Sequence, residues 1–262
     1  VQAGGFHGIQ EGGIMKVGNL LAAFALGLLL AASAAARAET AATADANKAA
    51  EQTKASAASG FGYRPPLRGA PAARIGGGTR GIGDMTLELV VLAPDHTGLT
   101  TREQPTLYWY VSKPVPARLE VTVINDEAID PALEQVVATP GVAGIQSIDL
   151  ANSGTRLEPG LEYRWFVSVI ADPGQRSNDV VASGTIQRIE PHAALKGKLA
   201  GADERTLARI YAEEGVWYDA IDALSRMIEK SPGDVALREQ RAALLEEVGL
   251  QAAANYERAV SR

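Results

Sequence analysis

A glycine string between Arg74 and Met85 has the spacing of a nucleotide-binding loop. Gly76, Gly78 and Gly81 satisfy G-x-G-x-x-G, which holds a dinucleotide pyrophosphate where a strand leads into a helix. Here a proline- and glycine-rich segment precedes the string and the strand-like MTLELVVL follows it, so both flanks differ from that arrangement. The Tyr-x-x-x-Lys pair of short-chain dehydrogenases does not occur in the sequence. We therefore predict no nicotinamide cofactor, and the sequence indicates no other cofactor.

The same stretch has a composition that could bind an anion. Between Phe61 and Gly81 the chain contains four arginines and no acid. Consecutive N–H groups of a glycine loop, flanked by guanidinium groups, can hold a phosphate, a sulfate or the carboxylate of a glycan. The alternative is an extended arm whose arginines pair with surface acids. The predicted ligand-binding residues are Arg64, Arg68, Arg74, Gly76, Gly77, Gly78, Thr79, Arg80, Arg176, Gln187 and Arg188.

Arg176, Gln187 and Arg188 come from a second polar stretch, DPGQRSNDVVASGTIQRIEP. Strand alternation in its second half places Arg188 where it could join the arginines of the arm in one anion site. The alternative is that Arg188 and Glu190 only hold the C-terminal region against the sheet.

Acidic loop residues are the other candidates for chemistry. Two carboxylates facing one cleft could hydrolyse a glycosidic bond, although loop carboxylates more often cap turns. Histidines occur at three separated positions, without the spacing of a metal site, and no G-x-S-x-G motif is present. We predict no metal site and no enzyme, with a glycan hydrolase as the alternative. The candidate acids are Asp126, Glu127, Asp130, Asp172 and Asp179, and the histidines are His7, His96 and His192.

Composition excludes several classes of protein. The net charge of −6 and a pI near 5.2 argue against a nucleic-acid partner, because such binders carry a basic face. The chain has no cysteine, which excludes disulfides, iron–sulfur clusters and thiolate zinc sites. A hydrophobic share of 46% in 262 residues is enough for a globular core.

Residues 15–38 have the three parts of a secretory signal peptide. A lysine follows Met15, an apolar run extends from Leu20 to Leu30, and small residues lead to Ala38. Cleavage is expected after Ala38. The apolar run is short for a transmembrane span, and an uncleaved anchor helix is the alternative. The mature protein is expected to be periplasmic or secreted, without stable membrane insertion.

The segments on either side of the signal carry no predicted chemistry. Residues 1–14 precede the natural-looking start at Met15 and are expected not to be translated. Residues 39–60 are rich in alanine and polar residues without apolar periodicity, so we expect a disordered linker. An alanine-rich helix is the alternative. Residues 61–83 form the Pro/Gly/Arg-rich arm.

Residues 84–191 have the two-residue period of strands. An antiparallel immunoglobulin- or fibronectin-III-like sandwich is expected, because short strands follow one another with turn residues and no helix between them. Trp109 is expected in the core. Tyr163, in LEPGLEY, is expected to form a tyrosine corner, bonding back to the preceding turn. The predicted strands are 85–93, 105–111, 117–125, 133–138, 144–150, 161–171 and 180–189.

Residues 192–262 change to a helical period. The sequence fits one tetratricopeptide-like repeat broken near Gly215, followed by a third helix from Asp234 to about Val248. This small helical subdomain could cap the sandwich or dock to repeats of another chain. The residues that match the repeat are Ala208, Tyr211, Gly215, Ala220, Leu224 and Pro232.

Four runs together resemble the bacterial domain of unknown function 928 family. The similarity extends from about Tyr63 to Leu250, and its runs are YRPPLRGAPAARIGGGTRG, LAPDHTGLTTREQPTLYWYV, LEPGLEYRWFVSVIADPGQRSNDVVASGTIQRIEP and IYAEEGVWYDAIDAL. The resemblance implies an exported protein without an established activity. Members often have a cysteine where this chain has Ala171, which argues against a redox or metal role for the following Asp-Pro turn.

These observations favour a non-catalytic interaction module of the bacterial envelope. Its expected partner is an envelope protein or an anionic glycan. The envelope glycan hydrolase remains the alternative, and converging carboxylates in a deep pocket would favour it.

Overall fold

The computed structural model describes residues 62–66, 80–82, 85–125 and 127–261. The predictions for residues 1–14, 15–38 and 39–60 lie outside the described residues. Most of the predicted arm, 61–83, does so too.

The described residues contain ten strands in three sheets. A five-stranded sheet has the order β4-β10-β9-β6-β7, a three-stranded sheet has the order β3-β5-β8, and β1 pairs with β2. The strands are β1 (Arg80–Ile82), β2 (Met85–Leu87), β3 (Leu89–Val91), β4 (Gly98–Thr100), β5 (Thr106–Val111), β6 (Arg118–Asn125), β7 (Leu133–Val137), β8 (Gly144–Asp149), β9 (Glu162–Ile170) and β10 (Val180–Arg188).

Each of the seven predicted segments contains strand, and the first is divided at Glu88 into β2 and β3. The two main sheets are a larger, mixed sheet and a smaller, antiparallel one. The larger sheet is mixed because β4 runs parallel to β10, with Gly98 opposite Ile186. The expectation of purely antiparallel sheets is therefore wrong at this edge. After β3 the chain passes from the smaller sheet to the larger one through residues 92–97, and β4 there pairs with β10, a strand far along the chain. No hairpin connects β4 and β10, so no tight turn imposes an antiparallel pairing on them.

Alternation along the strands builds the core between the two main sheets. Leu119, Val121 and Val123 of β6 are fully buried, as are Trp165 and its neighbours on the same face of β9. Every residue of β5 is buried, because one face of the smaller sheet meets the larger sheet and the other meets the helices.

Two aromatic predictions are confirmed by the structure. Trp109 on β5 is 2% exposed and belongs to the core. The hydroxyl of Tyr163 accepts a hydrogen bond of 3.2 Å from the backbone N–H of Glu158, in the turn before β9. Tyr163 is thus a structural residue that fixes that turn.

The sheets approach closely at Gly184, in the middle of β10. A Cβ atom on this residue would lie 2.5 Å from the Cβ of Ala93 and 3.3 Å from Nε1 of Trp165. We expect Gly184→Ala to lower the free energy of unfolding by about 1–3 kcal/mol, because these neighbours are buried and cannot move aside. Urea denaturation measures this change. Gly141→Ala is the control, since a Cβ there meets nothing within 4 Å; equal effects of both substitutions would contradict the close approach.

Six α-helices lie within the described residues. The first, α1, follows β8 and is capped by Asp149, whose side chain accepts from the N–H of Ala151. The other five form the C-terminal region. The helices are α1 (Leu150–Ser153), α2 (Ala193–Leu199), α3 (Glu204–Glu213), α4 (Trp217–Lys230), α5 (Val235–Glu247) and α6 (Gln251–Val260). None of the helices in the described ranges is long and apolar enough to cross a membrane.

Helices α3–α4 and α5–α6 form two hairpins that repeat each other at a distance of 34 residues. Gly215 and Gly249 occupy the two turns with φ of +75° and +73°. Ala208 and Ala220 of the first hairpin correspond to Ala242 and Ala254 of the second, and all four alanines have no exposed surface. Helix α5 lies where the third helix was predicted, whereas the second hairpin was not predicted. In the second hairpin the position that corresponds to Tyr211 is Leu245 and not an aromatic residue, which makes the repeat hard to recognise in the sequence.

The hairpins pack against the sheets through α4, which contacts β4 and β5. The sheet core and the inner faces of α4, α5 and α6 belong to one continuous cluster of buried apolar residues. The indole N–H of Trp217 donates to the carbonyl of Leu92 at 2.8 Å, and the hydroxyl of Tyr218 donates to that of Thr185 at 2.8 Å. The helical region therefore buries its apolar face on the sheets of its own chain.

Candidate functional site

A polar cavity of about 260 Å³ opens between strand β8 and helices α4, α5 and α6. Its walls come from regular elements: Ser147 from β8, Ser225 and Glu229 from α4, and Arg238 and Arg241 from α5. Side chains on strands and helices are held more rigidly than side chains on loops, so the lining is preorganised.

A buried ion pair forms the inner wall. Glu257 of α6 has no exposed surface, and its Oε1 accepts a hydrogen bond of 2.8 Å from Nη2 of Arg241, which is 5% exposed. Nη1 of Arg238 lies 3.4 Å from Oε2 of the same carboxylate. Arg238 and Arg241 share one face of α5 because residues three apart are neighbours on a helix. Nη1 of Arg241 also donates to the hydroxyl of Ser225 at 2.9 Å.

The two guanidinium groups share a single buried carboxylate, which leaves the inner wall with one net positive charge. Nε of Arg241 has no hydrogen-bond partner among the described residues. Nε of Arg238 donates to the carbonyl of Pro232 at 3.1 Å, and no bond is found for its Nη2 in the described ranges. Glu229 lies exposed at the rim. Nη2 of Arg238 is thus the spare N–H donor of the inner wall, since Nε of Arg241 has no accessible surface, and Glu229 provides a carboxylate acceptor at the edge.

Two tyrosines complete the lining. The hydroxyl of Tyr108 donates to Oδ1 of Asp222 at 3.0 Å, and that of Tyr256 donates to the carbonyl of Ala143 at 3.1 Å. Burial, followed by the charge of Asp222, raises the pKa of Tyr108 well above its ordinary value of 10. Tyr108 is therefore a neutral phenol at physiological pH, and its hydroxyl is held by Asp222.

Helix α4 is held in place by two buried aspartates behind this cavity. Asp219 is fully buried and accepts from the hydroxyl of Thr100 at 2.5 Å, from the N–H of Thr101 at 3.0 Å and from the Thr101 hydroxyl. Asp222, besides accepting from Tyr108, lies 3.1 Å from Nη1 of Arg102. Desolvation by burial raises the pKa of Asp219 from its ordinary value, although the hydrogen bonds to the two threonines oppose this shift. These contacts fix the α4 wall relative to β4 and β5.

The predicted arginine arm is described only at its ends. The side chain of Arg64 is exposed, while its backbone N–H donates to the carbonyl of Ala212 at 3.0 Å, beside the α3–α4 turn. Arg80 begins β1. The remaining predicted residues of the anion loop, Arg68, Arg74, Gly76, Gly77, Gly78 and Thr79, lie outside the described residues.

The structure places Arg176 far from Gln187 and Arg188. Arg176 precedes β10 and donates to Asp179 at 2.6 Å, whereas Gln187 and Arg188 end the same strand. Nine extended residues separate these positions by about 27 Å. Arg188 donates to the carbonyl of Leu157 at 3.0 Å and pairs with Glu190 at 3.4 Å. Gln187 donates to the carbonyl of Gly160 at 2.7 Å. The last two side chains hold the turn before β9, so the three do not form one site.

The candidate acids of the hydrolase alternative fall into two separate places. Glu127 and Asp130 follow β6, and Asp172 and Asp179 lie between β9 and β10, at the other end of the larger sheet. Asp172 accepts from the N–H of Gly174 at 2.8 Å, and Asp179 pairs with Arg176. The two groups do not share a cleft. Asp126 lies outside the described residues.

The described histidines make structural contacts. His96 shares a hydrogen bond of 2.8 Å with the hydroxyl of Tyr63 and one of 3.1 Å with Asp95. His192 caps α2 by accepting from the N–H of Leu195. His7 lies outside the described residues. Within the described ranges no three His, Asp or Glu side chains are grouped as metal ligands would be.

The residues of the cavity were not among the predicted site residues. Arg238, Arg241 and Glu257 belong to the second helical hairpin, which was not recognised as a repeat. Two arginines three residues apart on one helix, with a glutamate in the last helix, are the signal that could have indicated a shared site. Their convergence on one carboxylate depends on how α5 and α6 pack.

Comparisons with known proteins give one family match. A family model described as "Domain of Unknown Function (DUF928)" matches residues 75–258, more than half of the chain. Among curated proteins there is no match. A solved structure of a multi-domain immunophilin from Arabidopsis thaliana is similar at 6% sequence identity, with 74% of this chain and 99% of that chain covered and a TM-score of 0.16.

Proposed function

For a chain that belongs to the DUF928 family, whose description assigns no activity, we propose a non-catalytic interaction module of the bacterial envelope. The observation that carries the proposal is the polar cavity formed by β8 and helices α4 to α6. It places the guanidinium of Arg238 and the hydroxyl of Ser147 beside tyrosine rings and the apolar side chains of Ile145 and Ile228, and a few placed polar groups among aromatic and apolar side chains are typical of a ligand pocket. Its partner is an envelope protein or an anionic glycan.

The two parts of the fold support an interaction role. The two main sheets correspond to an immunoglobulin- or fibronectin-III-like sandwich, as the core position of Trp109 and the corner contact of Tyr163 support. The two helical hairpins correspond to a pair of tetratricopeptide-like repeats, supported by their spacing of 34 residues and the matching turns at Gly215 and Gly249. Both architectures commonly serve binding, and the site on them determines the ligand.

The export part of the proposal rests on residues 15–38. Their charged start, apolar run and small residues before the cleavage position are typical of a signal peptide. The mature protein then acts in the periplasm or outside the cell. Immunoblotting of cell fractions, with mass spectrometry of the mature N-terminus, tests this point, and an uncleaved cytoplasmic chain would contradict it.

A thermal-shift screen tests the proposed binding. The purified full chain is heated with envelope glycan fragments and peptides, beside Ser147→Trp, which fills the cavity mouth from an exposed position. A compound at about 100 times its Kd should stabilise the wild-type chain by about 2.7 kcal/mol, and Ser147→Trp should not respond. Ser177→Trp, at an exposed serine elsewhere, is the matched control and should respond as the wild type does.

Three outcomes of that screen would count against the proposal. Stabilisation that persists in Ser147→Trp, or the absence of any stabilising compound, would remove the cavity as the binding site. Cleavage of a bound glycan, detected by mass spectrometry, would favour the hydrolase. A parallel variant with Arg64, Arg68, Arg74 and Arg80 changed to Ala tests the arm, since loss of binding there alone would move the site to the arm.

A further inference from the structure

We propose that the cavity between β8 and helices α4 to α6 binds a sugar residue that carries a carboxylate, such as a hexuronic acid. This inference rests on the proposed function and adds the chemical class of the ligand. It is drawn from the charge, size and lining of the cavity.

The charge of the inner wall matches a monoanion. Arg238 and Arg241 carry two positive charges and share the one negative charge of Glu257, so the inner wall keeps one positive charge. The other charged residue of the lining, Glu229, lies exposed at the rim. A single carboxylate neutralises the positive charge of the inner wall. A phosphate dianion would exceed it and would also meet the repulsion of Glu257 and of Glu229 at the rim.

The donors of the inner wall suit a carboxylate in geometry as well as in charge. Arginine N–H groups form charge-assisted hydrogen bonds with carboxylates, often in pairs. Arg238 has the more accessible guanidinium, with 17% of its side chain exposed, and holds Glu257 only at 3.4 Å. Arg238 is therefore the residue that a ligand carboxylate can engage without breaking the shorter Arg241–Glu257 bond of 2.8 Å.

The rest of the lining suits a sugar ring. Rings of Tyr108 and Tyr256 offer apolar surface to the C–H faces of a pyranose. The exposed hydroxyl of Ser147 and the carboxylate of Glu229 provide a donor and acceptors for ring hydroxyls. An amino acid would need fewer hydroxyl partners and less flat apolar surface.

The size of the cavity limits the ligand to one residue. Its volume of about 260 Å³ is below the roughly 300–1,000 Å³ of pockets for drug-sized ligands. It therefore takes one monosaccharide, either free or as the end of a glycan chain, which projects through the opening beside Ser147. A uronic acid trisaccharide distinguishes the two sources. It should bind as tightly as the monosaccharide if the cavity takes the end of a glycan chain, and more weakly if the cavity takes only the free monosaccharide.

Calorimetric titration of the full chain with galacturonate and glucuronate tests the inference. At least one of them should bind about tenfold more tightly than glucose, because only the uronic acids can form a charge-assisted hydrogen bond to an arginine. Arg238→Gln should weaken this binding about tenfold or more while leaving glucose binding unchanged. Arg205→Gln, an exposed arginine on α3, is the matched control and should bind as the wild type does.

Inorganic phosphate and glutamate are titrated beside the sugars to separate the two proposals. If either binds as tightly as the uronic acids and Ser147→Trp blocks it, the sugar-acid class is wrong and the proposed binding function stands. Equal affinity for glucose and the uronic acids also overturns the class. If none of these probes and no compound of the thermal-shift screen binds, both proposals fail. Unchanged melting temperatures of Arg238→Gln and Arg205→Gln show that the comparison reports binding and not unfolding.

Discussion

Asp219→Ala is expected to lower the free energy of unfolding by about 3 kcal/mol or more, because it removes the acceptor that joins α4 to the larger sheet. The carboxylate is fully buried and accepts from both hydroxyls and one backbone N–H of Thr100 and Thr101. Each buried donor left without an acceptor costs about 1–3 kcal/mol. The substitution also creates a small cavity beside fully buried neighbours such as Ala220.

Urea denaturation followed by circular dichroism measures this loss. Glu213→Ala is the control, because Glu213 is an exposed acid on α3, and we expect it to stay within about 0.5 kcal/mol of the wild type. A loss below about 1 kcal/mol for Asp219→Ala would show that the threonines find other partners and that Asp219 does not hold α4.

Asp219 also gives the stability a defined pH dependence. Desolvation raises its pKa in the folded protein above the unfolded value of about 3.9, so the folded state favours the protonated carboxyl. The corresponding stability is fully present below about pH 3.9 and is lost as pH rises through the folded pKa. Asp219→Asn mimics the protonated form. Its stability relative to the wild type should therefore improve as the pH rises above about 4, and a constant difference would contradict the raised pKa.

Glu257→Ala is the second substitution with a large expected effect, a loss of about 3–5 kcal/mol. Glu257 has no exposed surface and is the counter-charge of Arg241, which is itself 95% buried, as its 5% exposure implies. Removing the carboxylate leaves a guanidinium in the interior without an anionic partner. The cost of an unpaired buried charge exceeds the net contribution of the intact pair.

A double-mutant cycle separates that cost from lost packing. Arg241→Met with Glu257→Leu replaces both charges by apolar side chains, and we expect it to recover most of the stability lost in Glu257→Ala. Chemical denaturation of Arg241→Met, Glu257→Leu and the double variant gives the coupling free energy between the two residues. If the stability losses of the two single variants add up to the loss of the double variant, Arg241 and Glu257 do not interact, which would contradict their distance of 2.8 Å. Glu239→Ala, an exposed acid on α5, is the control for helix effects.

Local sequence patterns predicted the strands well because each pattern reports burial directly. The alternation of β6 put Leu119 and Val121 on the buried face, and the structure agrees. The three residues of β4 are too few to show a period, and Gly98 at its start carries no side chain. Its pairing with β10 is a contact between positions almost 90 residues apart. No local pattern contains that information.

The cavity could not be predicted for a similar reason. Arg238, Arg241 and Glu257 are charged residues in helices, and in sequence they resemble ordinary solvent-facing charges. Arg241 and Glu257 become buried, and Arg238 joins them, because the second hairpin repeats the first and its helices pack against β8. The glycine–arginine arm attracted attention through its composition, yet most of it lies outside the described residues.

The sequence by itself determined the family, the positions of the strands other than β1 and β4, the burial of Trp109 and the corner contact of Tyr163. These features depend on residue types within one element and its adjoining turn, so neighbours along the chain are sufficient to specify them. Only the tertiary structure decided the parallel pairing of β4, the burial of Asp219 and the shared carboxylate of Arg238 and Arg241. A charge is either solvated or buried according to what packs on it, and for these residues the packing elements come from distant parts of the chain.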